Sequence, residues 1–316
     1  MNVAVSLMMF VSVLVPSKGW YAPNEPINIT IKPAGGAAGE VALVLTDFTN
    51  RAVESKTGIT ADAEKTVDIR PLLPEGLTGG TFILYAVPKD AARKDFAGTP
   101  LVISIFEDKR QGAPPGPMAA RVEPLCYVAM TTDKGPMTMA FYYDLAPITV
   151  ENFLCLSGGG FYDGLTFHRI VPNFIIEGGD PRGDRTGGPG YHIEAEFNDR
   201  PHQPGVISMA RSTDPNEAGG AKPRCEFANS AGSQFFICLN YENTQQLNRR
   251  YTAFGKVVDG MDTVNTIAKL PIANPDTGKP QDPPKILKAE VKPVTAKENP
   301  YLKFLDEIQG PALLQK

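Results

Sequence analysis

The sequence predicts a mainly β protein with two domains, an N-terminal antiparallel β-sandwich followed by a β-barrel capped by helices. Its 316 residues exceed the length of one average domain. Its 30 glycines and 29 prolines favour many turns and short strands over long helices. Short segments alternate apolar and polar residues with a period of two, as residues 27–31 do, and this alternation is typical of half-buried strands.

The N-terminal domain is assigned to residues 1–106. The strand-like segments are residues 27–31, 41–45, 82–87 and 101–106, with turn-forming residues at 33–36 and 79–80 between them. Strands at this spacing favour a sandwich. Trp20, the one tryptophan of the chain, belongs either to a ligand-stacking surface or to the core or edge of the sandwich. The residues do not indicate what this domain does, and recognition of an extracellular partner is one hypothesis.

Residues 3–15 form an apolar run that fits either a strand or a targeting segment. The compartment therefore stays open between cytoplasmic and exported, periplasmic or secreted. The run is too short to cross a bilayer as a helix, so no integral membrane span is expected.

Charge and cysteine usage exclude several functions. The net charge is −4 without a block of basic residues, which argues against nucleic acid as the main partner. The four cysteines show no CxxC spacing and there are three histidines, so neither a structural metal nor another cofactor is expected. Cys155 and Cys238 stand in apolar runs and are predicted to be small buried residues, although a disulfide is not excluded.

The second half of the chain has a different texture. Residues 107–122 are charged and then rich in proline and glycine, which predicts a linker. Residues 123–293 contain a hairpin signal around residue 134 and helical spacing at 147–157 and 261–270. The further predicted strands are residues 166–171, 174–177, 206–210, 234–239, 252–258 and 286–291. The tail, residues 294–316, carries a short amphipathic helix with Tyr301, Phe304, Leu305 and Ile308 on one face.

The segment from residue 167 to 180 carries the chemistry. A hairpin turn near Asn173 would make Arg169 and Glu177 cross-strand neighbours. Ile175 would share their face because side chains alternate along a strand. From geometry alone this arrangement fits either a surface ion pair or a functional site.

Five ordered motifs decide between these two. They are residues 150–153, 167–180, 205–210, 232–237 and 251–255, and with them residues 123–293 resemble the cyclophilin family. The resemblance implies an eight-stranded barrel and a peptidyl-prolyl cis–trans isomerase without a cofactor, acting on proline-containing peptides and on unfolded or flexible proteins. By motif matching, the catalytic positions are Arg169, His168 and Glu177. The matching substrate-binding positions are Phe174, Ile175, Ala210, Arg211, Gln234, Phe236, Leu247 and Tyr251.

Three departures from the family pattern matter. Glu177 stands where the family usually has glutamine, so we expect reduced activity; the alternative is a weakly active or inactive peptide-binding chaperone module. Gln246 and Tyr251 replace a frequent tryptophan and histidine, and the loss of the tryptophan implies weak cyclosporin binding. Residues 212–231 exceed the usual loop by about a dozen residues, and loops of that size are often functional. Asp214, Lys222 and Arg224 of this loop either select substrates or decorate a tolerated surface insertion.

Overall fold

A computed structural model describes residues 13–22, 25–32, 41–48, 60–61, 64–74, 77, 79–88, 91–106, 119–217 and 222–302. The chain divides into two compact units. The barrel unit comprises residues 127–292, and the sandwich unit comprises the described parts of residues 5–126 and 293–316. No helix among the described residues is long and apolar enough to cross a membrane.

The sandwich unit consists of two antiparallel sheets. Its strands are β1 (Leu14–Pro16), β2 (Trp20–Tyr21), β3 (Asn28–Ile31), β4 (Val41–Asp47), β5 (Thr60–Ala61), β6 (Lys65–Asp68), β7 (Gly80–Pro88), β8 (Ala97–Phe106) and β9 (Ala119–Pro124). One sheet has the order β1-β3-β6 and the other the order β2-β9-β8-β7-β4-β5. Ile29 and Ile31 of β3 share one buried cluster with Leu43, Leu84 and Ile103 of the larger sheet, so the two sheets enclose a common core, as predicted.

The predicted linker is wrong over residues 119–122. These residues begin β9, which pairs along its length with β8, from Phe106 opposite Ala119 to Leu101 opposite Pro124. Ala120 and Val122 point into the sandwich core. Apolar and charged residues alternate over positions 120–123, as in a half-buried strand, but the proline-rich stretch before them hid this signal. The rest of the predicted linker, residues 107–118, lies outside the described residues.

The barrel unit contains an eight-stranded antiparallel sheet and four helices. Its main strands are β10 (Cys126–Thr132), β11 (Gly135–Phe141), β12 (Thr166–Val171), β13 (Ile175–Asp180), β14 (Val206–Met209), β15 (Phe235–Cys238), β16 (Ala253–Asp259) and β19 (Ile286–Pro293); β17 (Ile272–Asn274) and β18 (Lys279–Pro280) form a separate pair. The helices are α1 (Pro147–Gly158), α2 (Cys225–Ala228), α3 (Tyr241–Thr244) and α4 (Met261–Ala268). The strand order is β12-β13-β15-β14-β16-β11-β10-β19. Hydrogen bonds between residues 164–167 and 284–286 join the two edge strands and close the barrel.

Aromatic side chains fill the barrel, and α1 covers one end. Phe153 of α1 contacts Phe141, Phe235 and Phe254, which come from three different strands. The core face of α1 carries Val150, Phe153 and Ser157. Cys155 lies on the opposite face and is exposed, so its predicted burial is wrong, whereas Cys238 is buried. None of the four cysteines, all of which lie in the described residues, forms a disulfide.

The tail after β19 belongs to the sandwich unit. The hydroxyl of Tyr301 donates a hydrogen bond to the carbonyl of Cys126 at 2.8 Å, and its ring meets Phe48 edge-on. The other predicted apolar positions of this tail, at 304, 305 and 308, lie outside the described residues.

Candidate active site

The hairpin β12–β13 brings the central charged pair together. Asn173 adopts a left-handed conformation with φ of 57° in the turn, which asparagine tolerates better than most residues. The resulting register sets Arg169 opposite Glu177, as predicted. Nη1 of Arg169 donates a hydrogen bond to Oε2 of Glu177 at 2.8 Å.

Glu177 is a buried carboxylate held by charge. Its side chain is 8% exposed, whereas that of Arg169 is 27% exposed. Burial acts to raise the pKa of Glu177, but His168 and Arg169 outweigh it and leave this pKa below its ordinary value. Glu177 is therefore ionised at neutral pH, and it holds one donor group of Arg169.

His168 lies behind this pair. It is buried, and its Nε2 is 3.8 Å from Oε1 of Glu177, too far for a direct hydrogen bond. Neither ring nitrogen has a hydrogen-bond partner among the described residues. His168 is therefore a buried neighbour of Glu177 that does not hydrogen-bond to it.

An apolar pocket adjoins the pair. The pocket is formed by apolar residues of one cluster, which come from the hairpin, the end of β14, β15 and the segment around residue 250. They are Phe174, Ile175, Ala210, Phe236, Leu247 and Tyr251. The strand register places Phe236 directly opposite Glu177. Phe236 and Tyr251 meet edge-on with their ring centres 5.6 Å apart. This wall of the pocket therefore lies on the strand next to that of Glu177.

Pair and pocket lie in one open groove of about 910 Å³. Ten of the eleven predicted site residues line it, and the eleventh, His168, lies behind it. The ten are Arg169, Phe174, Ile175, Glu177, Ala210, Arg211, Gln234, Phe236, Leu247 and Tyr251. Gln234 also crosses the groove, because its Nε2 donates to the carbonyl of Gly187 at 2.7 Å.

Sequence reasoning missed the far wall of the groove, which residues 181–192 form. The carboxylate of Asp180 organises this wall by accepting hydrogen bonds from the backbone N–H groups of Arg182, Asp184 and Arg185. Gly179 precedes it with φ of 85°, and a side chain there would collide with the carbonyl of Ser233. An aspartate directly after two glycines was the available signal, since aspartate caps turns.

The three charged candidates of the long loop do not line the groove. Asp214 is buried, and its carboxylate binds the guanidinium of Arg224 at 3.1 Å. Ser212, Thr213 and Ser230 of the same loop do line the groove.

His192, Glu194 and Glu196 alternate along the chain but do not form a cation site. Glu196 instead caps α1, since its carboxylate accepts the backbone N–H groups of Ile148 and Thr149 at 3.0 and 2.8 Å. Within the described ranges, no group of three or more histidine, cysteine or acidic side chains is arranged to hold a metal ion.

Comparison with known proteins identifies a family for the barrel unit. Residues 127–291 match the sequence model described as cyclophilin type peptidyl-prolyl cis-trans isomerase/CLD. This match covers more than half of the chain.

Named relatives agree with this match. A peptidyl-prolyl cis-trans isomerase of Synechococcus elongatus is 46% identical over 130 residues, which are 41% of this chain and 79% of the relative. Peptidyl-prolyl cis-trans isomerase B of Bacillus subtilis is 43% identical over 132 residues, which are 41% of this chain and 81% of the relative.

Among solved structures, a crystal structure of a Cryptosporidium parvum cyclophilin type isomerase in the presence of the dipeptide Ala-Pro matches with a TM-score of 0.45 and 30% identity. The match covers 54% of this chain and 99% of that one.

Proposed function

The chain belongs to the cyclophilin-type peptidyl-prolyl cis–trans isomerase family, and we propose that it rotates X-Pro bonds in the groove around Arg169. The observation that carries the proposal is the juxtaposition of a partly free guanidinium with an apolar pocket in one groove. The chemistry needs these two parts and no covalent intermediate.

Arg169 supplies the electrostatic part. An X-Pro bond resists rotation with a barrier of about 20 kcal/mol because rotation destroys amide resonance. The twisted bond leaves a lone pair on the proline nitrogen, and a guanidinium N–H can donate to it. Of the Arg169 nitrogens, Nη1 binds Glu177, and neither Nε nor Nη2 has a partner among the described residues. A donor held in this way stabilises the twisted state more than either planar isomer, which is the condition for catalysis.

The apolar pocket supplies the positioning. The proline ring can pack into the apolar pocket, here against Phe174, Ile175, Phe236, Leu247 and Tyr251. A ring held still there leaves the acyl side free to turn in the open groove.

Glu177 sets the rate of this reaction. Its carboxylate orients Arg169, but it competes with substrate for a donor and offers no N–H of its own. Family membership supports the isomerase over the alternative of an inactive peptide-binding module. We therefore expect an active enzyme that is slower than a glutamine variant.

The proposed substrates are proline-containing peptides and flexible or unfolded protein segments. An open groove suits an extended chain whose backbone is accessible. Gln246 is exposed and its Nε2 donates to the carbonyl of Asn243 at 3.0 Å, so this position presents no indole to a cyclic ligand. We expect cyclosporin to bind weakly for that reason, and a calorimetric titration tests it.

The decisive experiment compares the wild-type protein with Arg169→Ala by NMR exchange on a short proline peptide. We expect wild type to speed the cis–trans exchange and the variant to lose most of that rate. A wild-type rate equal to that of the variant would favour the peptide-binding module instead.

A further inference from the structure

The long loop at residues 212–231 contributes a buried carboxylate that binds two arginines. Oε1 of Glu217 accepts hydrogen bonds from Nη2 of Arg211 at 2.5 Å and from Nε of Arg250 at 3.0 Å. Nη2 of Arg250 also donates to the Glu217 carbonyl at 2.9 Å. The side chains of Glu217 and Arg211 are 8% and 2% exposed. Burial acts to raise the pKa of Glu217, but the two arginines outweigh it and lower this pKa, so the carboxylate is ionised at neutral pH.

Arg211 is fixed on every side. Its Nε donates to the carbonyl of Arg250 at 3.1 Å, and its Nη1 donates to the carbonyl of Ser212 at 2.9 Å. Its guanidinium lies 4.3 Å above the ring of Tyr251. A planar guanidinium stacks on an aromatic face in a way that an ammonium group does not.

Tyr251 connects this arrangement to the apolar pocket. Its ring contacts Phe236 edge-on, and both residues line the groove. An unbroken series of contacts therefore runs from Glu217 through Arg211 and Tyr251 to the wall of the pocket.

We propose that Glu217 is a positioning residue, through which the long loop fixes Arg211 against Tyr251 and so sets the shape of the pocket for the proline ring. Without the carboxylate, Arg211 would be a buried cation that lacks its counter-charge. Its guanidinium would then move away from the Tyr251 ring and towards water. The pocket would lose one of its fixed walls. Because the pocket holds the proline ring in the planar and the twisted states alike, its loosening should weaken binding more than turnover.

The same loop provides a matched control. Asp214 is also buried and ion-paired, to Arg224, and it accepts the backbone N–H groups of Asn216 and Arg224. Neither Asp214 nor Arg224 lines the groove. Glu217 bonds Asp214 only through the backbone, where its N–H donates to the Asp214 carbonyl. Asp214→Asn therefore perturbs the order of the loop and leaves the side-chain contacts from Glu217 to the pocket in place.

The test uses the full chain and the variants Glu217→Gln and Asp214→Asn. We expect Glu217→Gln to raise KM about fivefold or more with kcat changed less than about twofold, the pattern of lost uniform binding. Asp214→Asn should leave both parameters within about twofold of wild type. Equal KM effects of the two variants would overturn the proposal in favour of general loop order, as would an unchanged KM or a fall in kcat alone for Glu217→Gln.

A second variant and a second readout complete the test. Arg211→Lys keeps the charge but cannot stack flat on Tyr251, so it should raise KM as Glu217→Gln does. If Glu217→Gln does not fold, the KM and kcat of Arg211→Lys test the proposal against the same thresholds. The inference rests on the proposed function, and calorimetric titration of the proline peptide separates the two. Absence of wild-type turnover would defeat the proposed function, whereas weaker peptide binding by Glu217→Gln and not by Asp214→Asn would still uphold the role of Glu217.

Discussion

Replacing Glu177 with glutamine should make the enzyme faster. The carboxylate holds Nη1 of Arg169 at 2.8 Å in the resting state, and glutamine keeps its size while removing its charge. Arg169 is 27% exposed, so solvent screens the pair and its strength is about 1 kcal/mol at most. Releasing that amount in the transition state is a gain of up to about fivefold in kcat/KM.

The pH dependence of this gain separates charge from shape. The pKa of Glu177 in the folded protein lies below its ordinary 4.5, so the pair is intact above that value and is lost as the pH falls through the folded pKa. The ratio of the Glu177→Gln rate to the wild-type rate should be constant between about pH 5 and pH 8, and it should fall towards one in more acidic solution. NMR exchange on a proline peptide measures both rates without a coupling protease, which would itself respond to pH.

Two results would refute this reasoning. A variant rate below that of wild type would show that the carboxylate assists catalysis, and an equal rate would show that its charge does not slow the reaction. A ratio that stays constant through the acidic range would show that the gain comes from the new N–H group and not from the lost charge. Thermal unfolding of both proteins at neutral pH is the control for folding.

Three further predictions address the site and the fold. Arg169→Ala removes a charge-assisted hydrogen bond of about 1.5–3 kcal/mol from the transition state, so kcat/KM should fall by about 10- to 150-fold. The lost ion pair with Glu177 should lower the melting temperature by only a few degrees, and a fall in kcat/KM below threefold in the exchange assay contradicts the prediction. Gly179→Ala places a side chain on a left-handed backbone and against the Ser233 carbonyl, so chemical denaturation should show a loss of unfolding free energy of more than about 1 kcal/mol. The control is Gly188→Ala, which should be neutral because a methyl group there meets nothing within 4 Å. Burial holds the pKa of His202 at about 4 instead of 6.5. Between these two pH values the unfolded chain takes up a proton at this residue and the folded protein does not. As the pH falls from 6.5 to 4, the unfolding free energy of wild type should therefore decrease by about 3 kcal/mol more than that of His202→Gln, which lacks this proton uptake. Curves of stability against pH that run parallel for the two proteins would contradict the prediction.

The hairpin was predictable because local patterns encode it, whereas the pocket was expected from a family resemblance. The turn near Asn173 and the alternation of strands fix the cross-strand pairing of Arg169 with Glu177. The apolar pocket was expected because ordered motifs resemble those of the cyclophilin family, and the barrel brings the matched residues into one cluster. Neither step needed knowledge of contacts between distant side chains.

The missed features depend on distant contacts or on the face of an element that a residue occupies. Glu217 reaches Arg250 across 33 positions in the sequence, and no periodicity signals that pairing. Cys155 stands in an apolar run, but helical geometry turns it away from the face that carries Phe153. The strand β9 follows a stretch whose composition is that of a linker, and only its pairing with β8 shows that the sandwich extends to Pro124.

Two of the groove's arginines, Arg169 and Arg211, are each neutralised by a buried glutamate. The charges that remain near the rim are exposed and therefore screened by salt. Recognition of an uncharged proline peptide should then depend on the pocket and on hydrogen bonds, and KM should change by less than about twofold between low and high salt. Glu177→Gln uncovers one of these cations, so its affinity for a peptide with an acidic residue beside proline should rise and become salt-dependent. A steep salt dependence of wild type with the neutral peptide would show instead that the exposed rim charges dominate binding.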